Sequence, residues 1–266
     1  MKYTLLVILS IFFQCTNKQS VMVNHQMPEI INELIKLQDE KFYDGEEFEF
    51  WIDFHDNFRY SICPIDAIPF ASTGNNGIHF AFLTDFGRNT NLNEAPVICV
   101  APSYDPPVNL VANNLKDFLG IVTTIENSTL LAARYENQID FENRKNEWFE
   151  GFLSEPRIAE PRRKLASQLK SKFNLERFNQ IIHYRNQIRD KRKELVDFGS
   201  MDGLGVFKVN DEEISEFKYS KKPEDVIKFL SNSNRNSRLL FYRNSYFAYI
   251  LSVSYTHLTL PTNREV

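Results

Sequence analysis

The hydrophobic pattern of the chain changes its period near residue 45. Between 28 and 42 the apolar residues recur every three or four positions, which predicts an amphipathic helix. From 48 to 54 they alternate with polar residues, which is the period of a half-buried strand. The alternation resumes over 59–63 after an Asp56-Asn57 turn, so we predict a β-hairpin after the helix.

The segment from 67 to 125 alternates short apolar runs with turn-forming residues. Gly74-Asn75-Asn76-Gly77 tolerates positive φ, which is typical of a tight turn between two strands. Further strands are predicted at 78–82, 95–101 and 108–112. Asn113-Asn114 then caps a helix over 115–122. Residues 46–125 are therefore expected to form several antiparallel strands closed by a helix.

Beyond residue 126 the pattern becomes mainly helical. We predict helices over 128–135, 141–152, 160–173, 175–195 and 223–230, and a short strand over 205–209. A last strand pair is predicted between 239 and 249, turning at Arg243-Asn244-Ser245. The expected parts are a leader and spacer over 1–20, a core over 28–125, a helix-rich part over 126–252 packed on that core, and a final segment over 253–266.

The N-terminal segment has the layout of a signal peptide. Lys2 precedes an apolar run over 5–13, and Cys15 follows it directly. The run is shorter than the roughly 20 residues that span a bilayer, so a permanent transmembrane helix is not expected. A cysteine at this place resembles a bacterial lipoprotein signal, which makes Cys15 the predicted lipidation site. An uncleaved hydrophobic start, or a true start at Met22 or Met27, are the alternatives.

The opposite end of the chain resembles a translated sequencing adapter. Residues 253–262 read VSYTHLTLPT, which matches the adapter over ten consecutive residues. We therefore interpret the sequence after about Ser252 as an artefact and expect the natural C-terminus to be missing. Tyr255 and His257 are given no functional role.

Composition and charge narrow the possible functions. A chain with 42% hydrophobic and 25% charged residues is expected to fold, and its net charge of −4 disfavours a protein that coats nucleic acid. The three cysteines show neither zinc spacing nor a disulfide framework. The charge is unevenly spread: residues 157–194 contain twelve basic and four acidic residues, whereas 28–60 contain three basic and ten acidic residues. The basic run is interpreted as a solvated helix face, and contact with RNA or with anionic lipid headgroups is the alternative.

Candidate catalytic and metal sites are weak. Cys63, His79 and Asp85 are the residue types of a nucleophilic set, but no family-type motif surrounds Cys63. Asp53, His55 and His79 lack any recurrent metal-ligand spacing, and the 74–77 turn lacks the lysine of a phosphate loop. We expect no catalytic residue, no metal and no cofactor. His79 is interpreted as a strand histidine that is hydrogen-bonded inside a hairpin.

The predicted acidic hairpin is the strongest candidate for a binding surface. Glu47, Glu49, Asp53 and Asp56 lie on or beside predicted strands, where one face is expected to be exposed. Carboxylates clustered on a rigid sheet can attract and hold a basic partner. The alternative is that these residues only keep the protein soluble.

The stretch from 68 to 119 resembles the SUKH superfamily of immunity proteins and cell-wall-assembly-regulator-like proteins. It reads IPFASTGNNGIHFAFLTDFGR and then APVICVAPSYDPPVNLVANNLKDFL, about a fifth of the chain. The resemblance consists of an ordered series: an Ile-Pro-Phe strand, a glycine-rich turn, a His-Phe strand, a Pro-Val-Ile strand and a trailing helix. It implies that one set of residues builds the family's scaffold turn, namely Pro69, Phe70, Gly74, Gly77, His79 and Phe80.

The resemblance also implies a fold and a function. The fold is α+β, a twisted, mostly antiparallel sheet with flanking helices, here followed by a helical extension. Bacterial members neutralise toxins by direct binding, so the expected function is a non-enzymatic immunity protein with a cognate, basic toxin as partner and no nucleic acid. An envelope lipoprotein of structural or ligand-binding role is the alternative. Membrane contact is expected only through the N-terminal anchor, and the cell envelope is slightly favoured over the cytoplasm.

Overall fold

The computed structural model describes residues 25–40, 42, 45–53, 63–209, 211–218, 220 and 222–259, with backbone only at 152 and 249–259. Its strands are β1 Trp51–Ile52, β2 Ala67–Ser72, β3 His79–Leu83, β4 Val97–Val100 and β5 Val108–Ala112. Its α-helices are α1 Glu29–Asp39, α2 Leu115–Ile125, α3 Gln138–Trp148, α4 Pro156–Phe173, α5 Ile181–Leu195, α6 Pro223–Asn232 and α7 Arg235–Thr259. Short 3-10 helices cover Glu46–Phe48, Ser128–Leu131 and Gly151–Ser154.

The five strands form one antiparallel sheet in chain order. Each strand pairs with the next, so the sheet is a meander from β1 to β5. The turn predicted between β2 and β3 is confirmed: Ser72 pairs with His79, and Gly74, Asn76 and Gly77 all have positive φ. Glycine adopts this conformation without a steric cost, which suits it to such a turn. The predicted α+β fold class is confirmed.

Both faces of the central strands are buried, because helices and loops cover the sheet on either side. Every residue of β3, β4 and β5 is buried. Successive strand residues point to opposite faces, so the alternating residues of β3 belong to two different clusters. Phe80 and Phe82 belong to the larger apolar cluster, and Ala81 and Leu83 to the smaller one. We call these the aromatic face and the opposite face.

The aromatic face is closed mainly by α2. Asn114 caps this helix by accepting a 2.8 Å hydrogen bond from the backbone N–H of Asp117. Phe118 then projects onto the sheet, with its ring centroid 4.8 Å from that of Phe80 and 5.6 Å from that of Phe70. Aromatic pairs at these distances contribute packing energy beyond the area they bury. The predicted helix cap and helix stripe are confirmed.

The helical extension packs on the same apolar cluster. Leu165 and Leu169 of α4 and Ile181 and Ile182 of α5 are buried in it together with the strand residues. The extension approaches α2 most closely at Gly120, where an added Cβ would lie 2.7 Å from the carbonyl oxygen of Glu176. A side chain at Gly120 would therefore clash with the segment that precedes α5.

The predicted hairpin over 48–63 is wrong in its described part. A 3-10 helix occupies Glu46–Phe48, Glu49 has a φ of 49°, and β1 is only two residues long. β1 pairs with β2, and residues 54–62 lie outside the described part of the chain, so the predicted pairing with 59–63 stays a prediction. The alternating residues Phe48, Phe50 and Ile52 are nevertheless buried, because this irregular segment inserts them into the core.

The predicted strand pair between 239 and 249 is also wrong, because these residues lie inside helix α7. The buried residues Leu240, Arg243 and Phe247 recur at three- and four-residue intervals, which is a helical period. The adjacent apolar residues Leu239-Leu240-Phe241 obscure that period in the sequence. The helix continues through Thr259, into the segment that resembles an adapter.

Smaller differences concern the boundaries of other elements. The predicted strand over 205–209 is reduced to one bridge between Phe198 and Val206, and the predicted helix over 128–135 is a 3-10 turn over Ser128–Leu131. The helix predicted over 175–195 begins only at Ile181. The other predicted helices are confirmed with shifts of a few residues at their ends, where sequence signals are weakest.

Candidate binding cleft

The three residues of the candidate nucleophilic set, Cys63, His79 and Asp85, do not form hydrogen bonds with one another in the structure. His79 is fully buried, its Nδ1 donates to the carbonyl oxygen of Gly77 at 2.8 Å, and burial lowers its pKa to about 4. Burial also raises the pKa of the Cys63 thiol. The Asp85 carboxylate accepts hydrogen bonds from Arg192 and Asn89. The interpretation of His79 as a hydrogen-bonded strand histidine is confirmed.

The scaffold-turn residues implied by the resemblance lie close together at one end of β2 and β3. Pro69 and Phe70 lie in β2 at a register shift, and His79 and Phe80 begin β3. The indole of Trp51 covers the turn, since a Cβ on Gly74 would lie 3.0 Å from it. These residues form a packed turn rather than an open site.

The predicted acidic binding residues are partly used inside the fold. Thr129 Oγ1 donates to Glu49 Oε2 at 2.6 Å, and Ser72 Oγ donates to Asp53 Oδ2. Glu49, Asp53 and Glu47 are only half-exposed. Asp56 and the predicted lipidation site Cys15 lie outside the described residues. Whether any of these residues binds a partner or a lipid stays a prediction.

A buried charge network on the opposite face was missed by the sequence interpretation. Its centre is Arg243 of α7, whose side chain is 1% exposed and forms an ion pair with Asp66. Its other contacts are weaker: Nη2 lies 3.7 Å from Asp85 Oδ1, and Nη1 lies 3.5 Å from Asp202 Oδ2. Arg192 of α5 completes the network with a bidentate contact to Asp85 at 2.5 and 3.2 Å.

The network binds three parts of the chain to each other. Asp66 precedes β2, Asp85 follows β3, Asp202 lies in the loop after α5, and the two arginines come from α5 and α7. The pKa of Asp66 is raised to about 6. Burial is the main cause, Arg243 opposes it, and the charges of Asp85 and Asp202 add to it. Three carboxylates therefore share two guanidinium groups. Removing one partner of a buried ion pair leaves an uncompensated charge and typically costs about 3–5 kcal/mol.

Beside this network the structure contains a cleft of about 290 Å³. Its lining consists of the turn after β3, the segment before residue 210, and one side of α7: Asp85, Phe86, Gly87, Arg88, Val206, Phe207, Lys208, Val209, Arg235, Leu239 and Arg243. Four of these side chains are basic and one is acidic. Two aromatic rings lie among them, which is a composition suited to recognising a ligand with negative charge.

The turn after β3 has an unusual backbone. Asp85, Phe86 and Gly87 have φ values of 49°, 56° and 88°, all in the left-handed region. A bulky residue such as Phe86 rarely adopts this conformation, which costs roughly 1–2 kcal/mol per residue. The anchoring of Asp85 by Arg192, and the Arg243 guanidinium 5.2 Å from the Phe86 ring centroid, maintain it. Strained residues of this kind cluster at functional sites.

Comparison with known proteins adds no family. A scan against the models of known protein families finds no match for this chain, and a search of curated proteins finds no relative. Within the described residues, no helix is both long enough and apolar enough to cross a membrane. No cluster of His, Cys, Asp or Glu suited to a metal ion occurs in the same part of the chain.

The sequence contains a weak signal for the network and none for the cleft. Arg243 directly follows the apolar run 239–242, and Asp66 and Asp85 lie at either end of the buried hairpin β2–β3. A charged residue next to buried strands is a candidate for a buried ion pair. Its partner cannot be identified from the chain, because 177 residues separate Asp66 from Arg243.

Proposed function

We propose that the protein is a non-enzymatic, immunity-type protein that neutralises a cognate toxin by binding it directly. One observation carries the proposal: the stretch 68–119, which resembles the SUKH superfamily, forms consecutive elements of one folded unit. It supplies strands β2 to β5 in meander order and the first half of α2 behind them. The residues that carry the resemblance therefore lie in one sheet and the helix behind it, which supports the proposal.

The burial and the shifted pKa values of Cys99 and His79 support a binding function over a catalytic one. A catalytic cysteine needs a thiolate, whereas burial raises the pKa of Cys99 to about 12. A general base at neutral pH needs a pKa near 7, whereas that of His79 is about 4 and its ring is fully buried. The cleft is lined instead by arginine, lysine and phenylalanine, which bind charged and aromatic groups.

The acidic stretch around residues 46–53 is the first candidate for the toxin-binding surface. Glu46 is exposed and Glu47 is half-exposed, and both lie in the turn next to Trp51. Glu49 and Asp53 accept internal hydrogen bonds, which attach the segment that follows Glu46 and Glu47 to the rest of the fold. A rigid, negatively charged turn of this kind favours a basic partner.

The proposal is tested with the product of the neighbouring gene. That protein is expressed with and without this one, growth is measured, and binding is assayed by pull-down. We expect protection together with a stable complex. Loss of protection in Glu46→Lys/Glu47→Lys, but not in the exposed control Glu94→Lys/Glu136→Lys, would assign the acidic turn. If the wild-type protein gives neither binding nor protection, the proposed function is wrong.

A further inference from the structure

We propose that the cleft beside the charge network binds an acidic segment of a protein partner, with Arg88 and Arg235 receiving its carboxylates. This site is distinct from the acidic turn at 46–47. The turns before and after β3 lie at opposite ends of that five-residue strand, and Trp51, next to the acidic turn, covers the first of them. The inference does not depend on the identity of the partner as a toxin.

Two cations at the cleft are available to a ligand. Arg88 and Arg235 are exposed, and neither forms an ion pair with any residue that the structure describes. Lys208 differs from them, because its Nζ lies 3.1 Å from the Asp211 carboxylate. An exposed guanidinium that lines a cleft and forms no internal ion pair can receive an anion without first breaking such a pair.

The guanidinium of Arg88 is held in position by an aromatic ring. Its Cζ lies 4.4 Å from the centroid of the Phe207 ring, and Arg192 approaches the same ring at 5.3 Å. Stacking on a ring restricts the side chain while it leaves the outer N–H groups free to donate. A planar fork of donors matches a carboxylate in a bidentate arrangement, and less ordering is then needed on binding.

The inner part of the cleft contains a donor group that the fold does not fully satisfy. Nε and Nη1 of Arg243 are buried and have no hydrogen-bond acceptor in the described part of the chain, although Nη1 lies 3.5 Å from the Asp202 carboxylate. Buried donors without acceptors are uncommon in proteins and call for an explanation. Together with the strained turn at Asp85–Gly87, Arg243 indicates a pocket organised for a ligand.

The size of the cleft selects the class of ligand. A volume of about 290 Å³ lies at the lower end of the roughly 300–1,000 Å³ that small-molecule sites occupy. It accommodates one or two side chains of a peptide more readily than a complete nucleotide cofactor. Carboxylates of aspartate or glutamate are the protein groups that pair with arginine in this way. A partner segment rich in these residues therefore fits the cleft best.

The test uses fluorescein-labelled hexaglutamate as the probe, with hexaglutamine as the neutral control, and measures fluorescence anisotropy at low ionic strength. The full chain is expected to bind hexaglutamate and not hexaglutamine. The variant Arg88→Glu/Arg235→Glu should bind at least about tenfold more weakly. The matched control, Arg163→Glu/Lys164→Glu, changes the net charge equally on the exposed side of α4 and should alter the affinity by less than about twofold.

Three results would overturn the inference. One is an absence of hexaglutamate binding by the wild-type chain, and a second is an equal loss in both double variants, which would indicate attraction by net charge alone. The third is binding of inorganic phosphate in the cleft without binding of hexaglutamate. All four substituted side chains are exposed, so thermal unfolding of each variant should remain close to that of the wild type. These outcomes are independent of the toxin assay.

Discussion

On one face of the sheet Phe70 and Phe80 pack against Phe118, Phe82 stacks on Phe70, and these contacts are entirely apolar. On the opposite face Ala81, Leu83 and their neighbours form a smaller apolar cluster, and beside it lies a buried network of three aspartates and two arginines. The first face is closed by a helix that follows the sheet directly in the chain. The second is covered by Phe247 of α7, which begins more than a hundred residues later, together with Leu204 and Ile188 of α5.

The difference between the two faces affects how uniquely the packing arrangement is determined, as well as the stability of the fold. Apolar side chains tolerate several packing arrangements, whereas a buried charge is stable only when its partner is in place. The network connects α7 to the residues that precede β2 and follow β3. It also positions Arg243 and the turn after β3, which line the proposed binding cleft. We infer that the opposite face has fewer apolar contacts because the charge network beside it positions the residues of the cleft.

The largest effect is expected for Arg243→Met. The substitution keeps the side chain's volume approximately but leaves Asp66 and Asp202 without their cation, so the free energy of unfolding should fall by about 3–5 kcal/mol. Arg238→Met on the same helix is the control, because Arg238 forms no ion pair within the described residues and should change stability by less than about 0.5 kcal/mol. Urea unfolding followed by circular dichroism measures both variants.

A double-mutant cycle sharpens this prediction. If Asp66 and Arg243 stabilise each other, Arg243→Met/Asp66→Asn should be less destabilised than the sum of the two single variants. Additive effects would show that the two side chains act independently. The network would then not explain the position of α7.

The next largest effect is expected in the pH dependence of stability, and it comes from His79, whose side chain points to the opposite face of the sheet. Its pKa is lowered from 6.5 to about 4, so the folded state binds fewer protons than the unfolded state between these pH values. The His79 contribution to stability is complete above about pH 6.5 and is lost as the pH falls towards 4, by about 3 kcal/mol. Asp66 acts in the opposite direction, because its pKa is raised by burial and its contribution is lost as the pH rises from about 4 to about 6.

Replacing His79 separates the two contributions. In His79→Gln the stability at pH 4 relative to pH 7 should be about 3 kcal/mol higher than in the wild type, because the His79 effect is removed. The exposed residue His183 provides the control His183→Gln. Chemical unfolding at several pH values gives the result. Parallel profiles for wild type and His79→Gln would contradict the assignment of the pH dependence to this buried ring.

On the aromatic face a smaller effect is expected for Gly120→Ala. Alanine favours a helix over glycine by about 1 kcal/mol, but the new Cβ would lie 2.7 Å from the Glu176 carbonyl oxygen and 2.9 Å from the Phe178 ring. We expect a net destabilisation of about 1–3 kcal/mol, because the extension must move away from α2. Gly199→Ala is the control, since nothing lies within 4 Å of its added Cβ. A more stable Gly120→Ala would show that the extension packs loosely.

The contrast between the aromatic face and the opposite face also explains which parts of the fold could be predicted from the sequence. The meander from β2 to β5 and the capped helix α2 were predicted nearly in full, because each element carries its own turn or cap. Asn114 before Leu115 and the 74–77 turn are local signals that act within a few residues. The order of elements in the aromatic face could therefore be predicted from neighbouring residues alone.

The opposite face could not be predicted in the same way. The sequence wrongly predicts a strand pair in place of helix α7, because the apolar residues 239–241 fit either period and the burial of the helix depends on a sheet far away in the chain. The residues around Arg243 and around Asp66 do not indicate in the sequence that these two side chains pair with each other. The acidic turn and the cleft differ likewise: carboxylates near Trp51 are visible in the sequence, whereas Arg88 and Arg235 come together only in the fold.

The smallest effect is expected where a polar contact borders the aromatic face. The Tyr184 hydroxyl of α5 donates to Asp117 Oδ2 at 2.6 Å and accepts from the backbone N–H of Asn113 at 2.9 Å, so it joins the extension to the start of α2. Tyr184→Phe removes both bonds and keeps the ring, which lies 4.8 Å from Phe178 between centroids. We expect a loss of about 1–2 kcal/mol in the free energy of unfolding.

The position of Tyr184 makes this variant a test of how the extension is attached. Tyr104→Phe is the matched control, because the Tyr104 hydroxyl makes no hydrogen bond with the described residues and its removal should change stability by less than about 0.5 kcal/mol. A loss in Tyr184→Phe as large as that in Arg243→Met would mean that polar contacts determine the attachment on both faces. A loss near 1 kcal/mol would leave apolar packing as the main attachment of α5 on the aromatic face, since water can then satisfy Asp117 and Asn113 at the helix start.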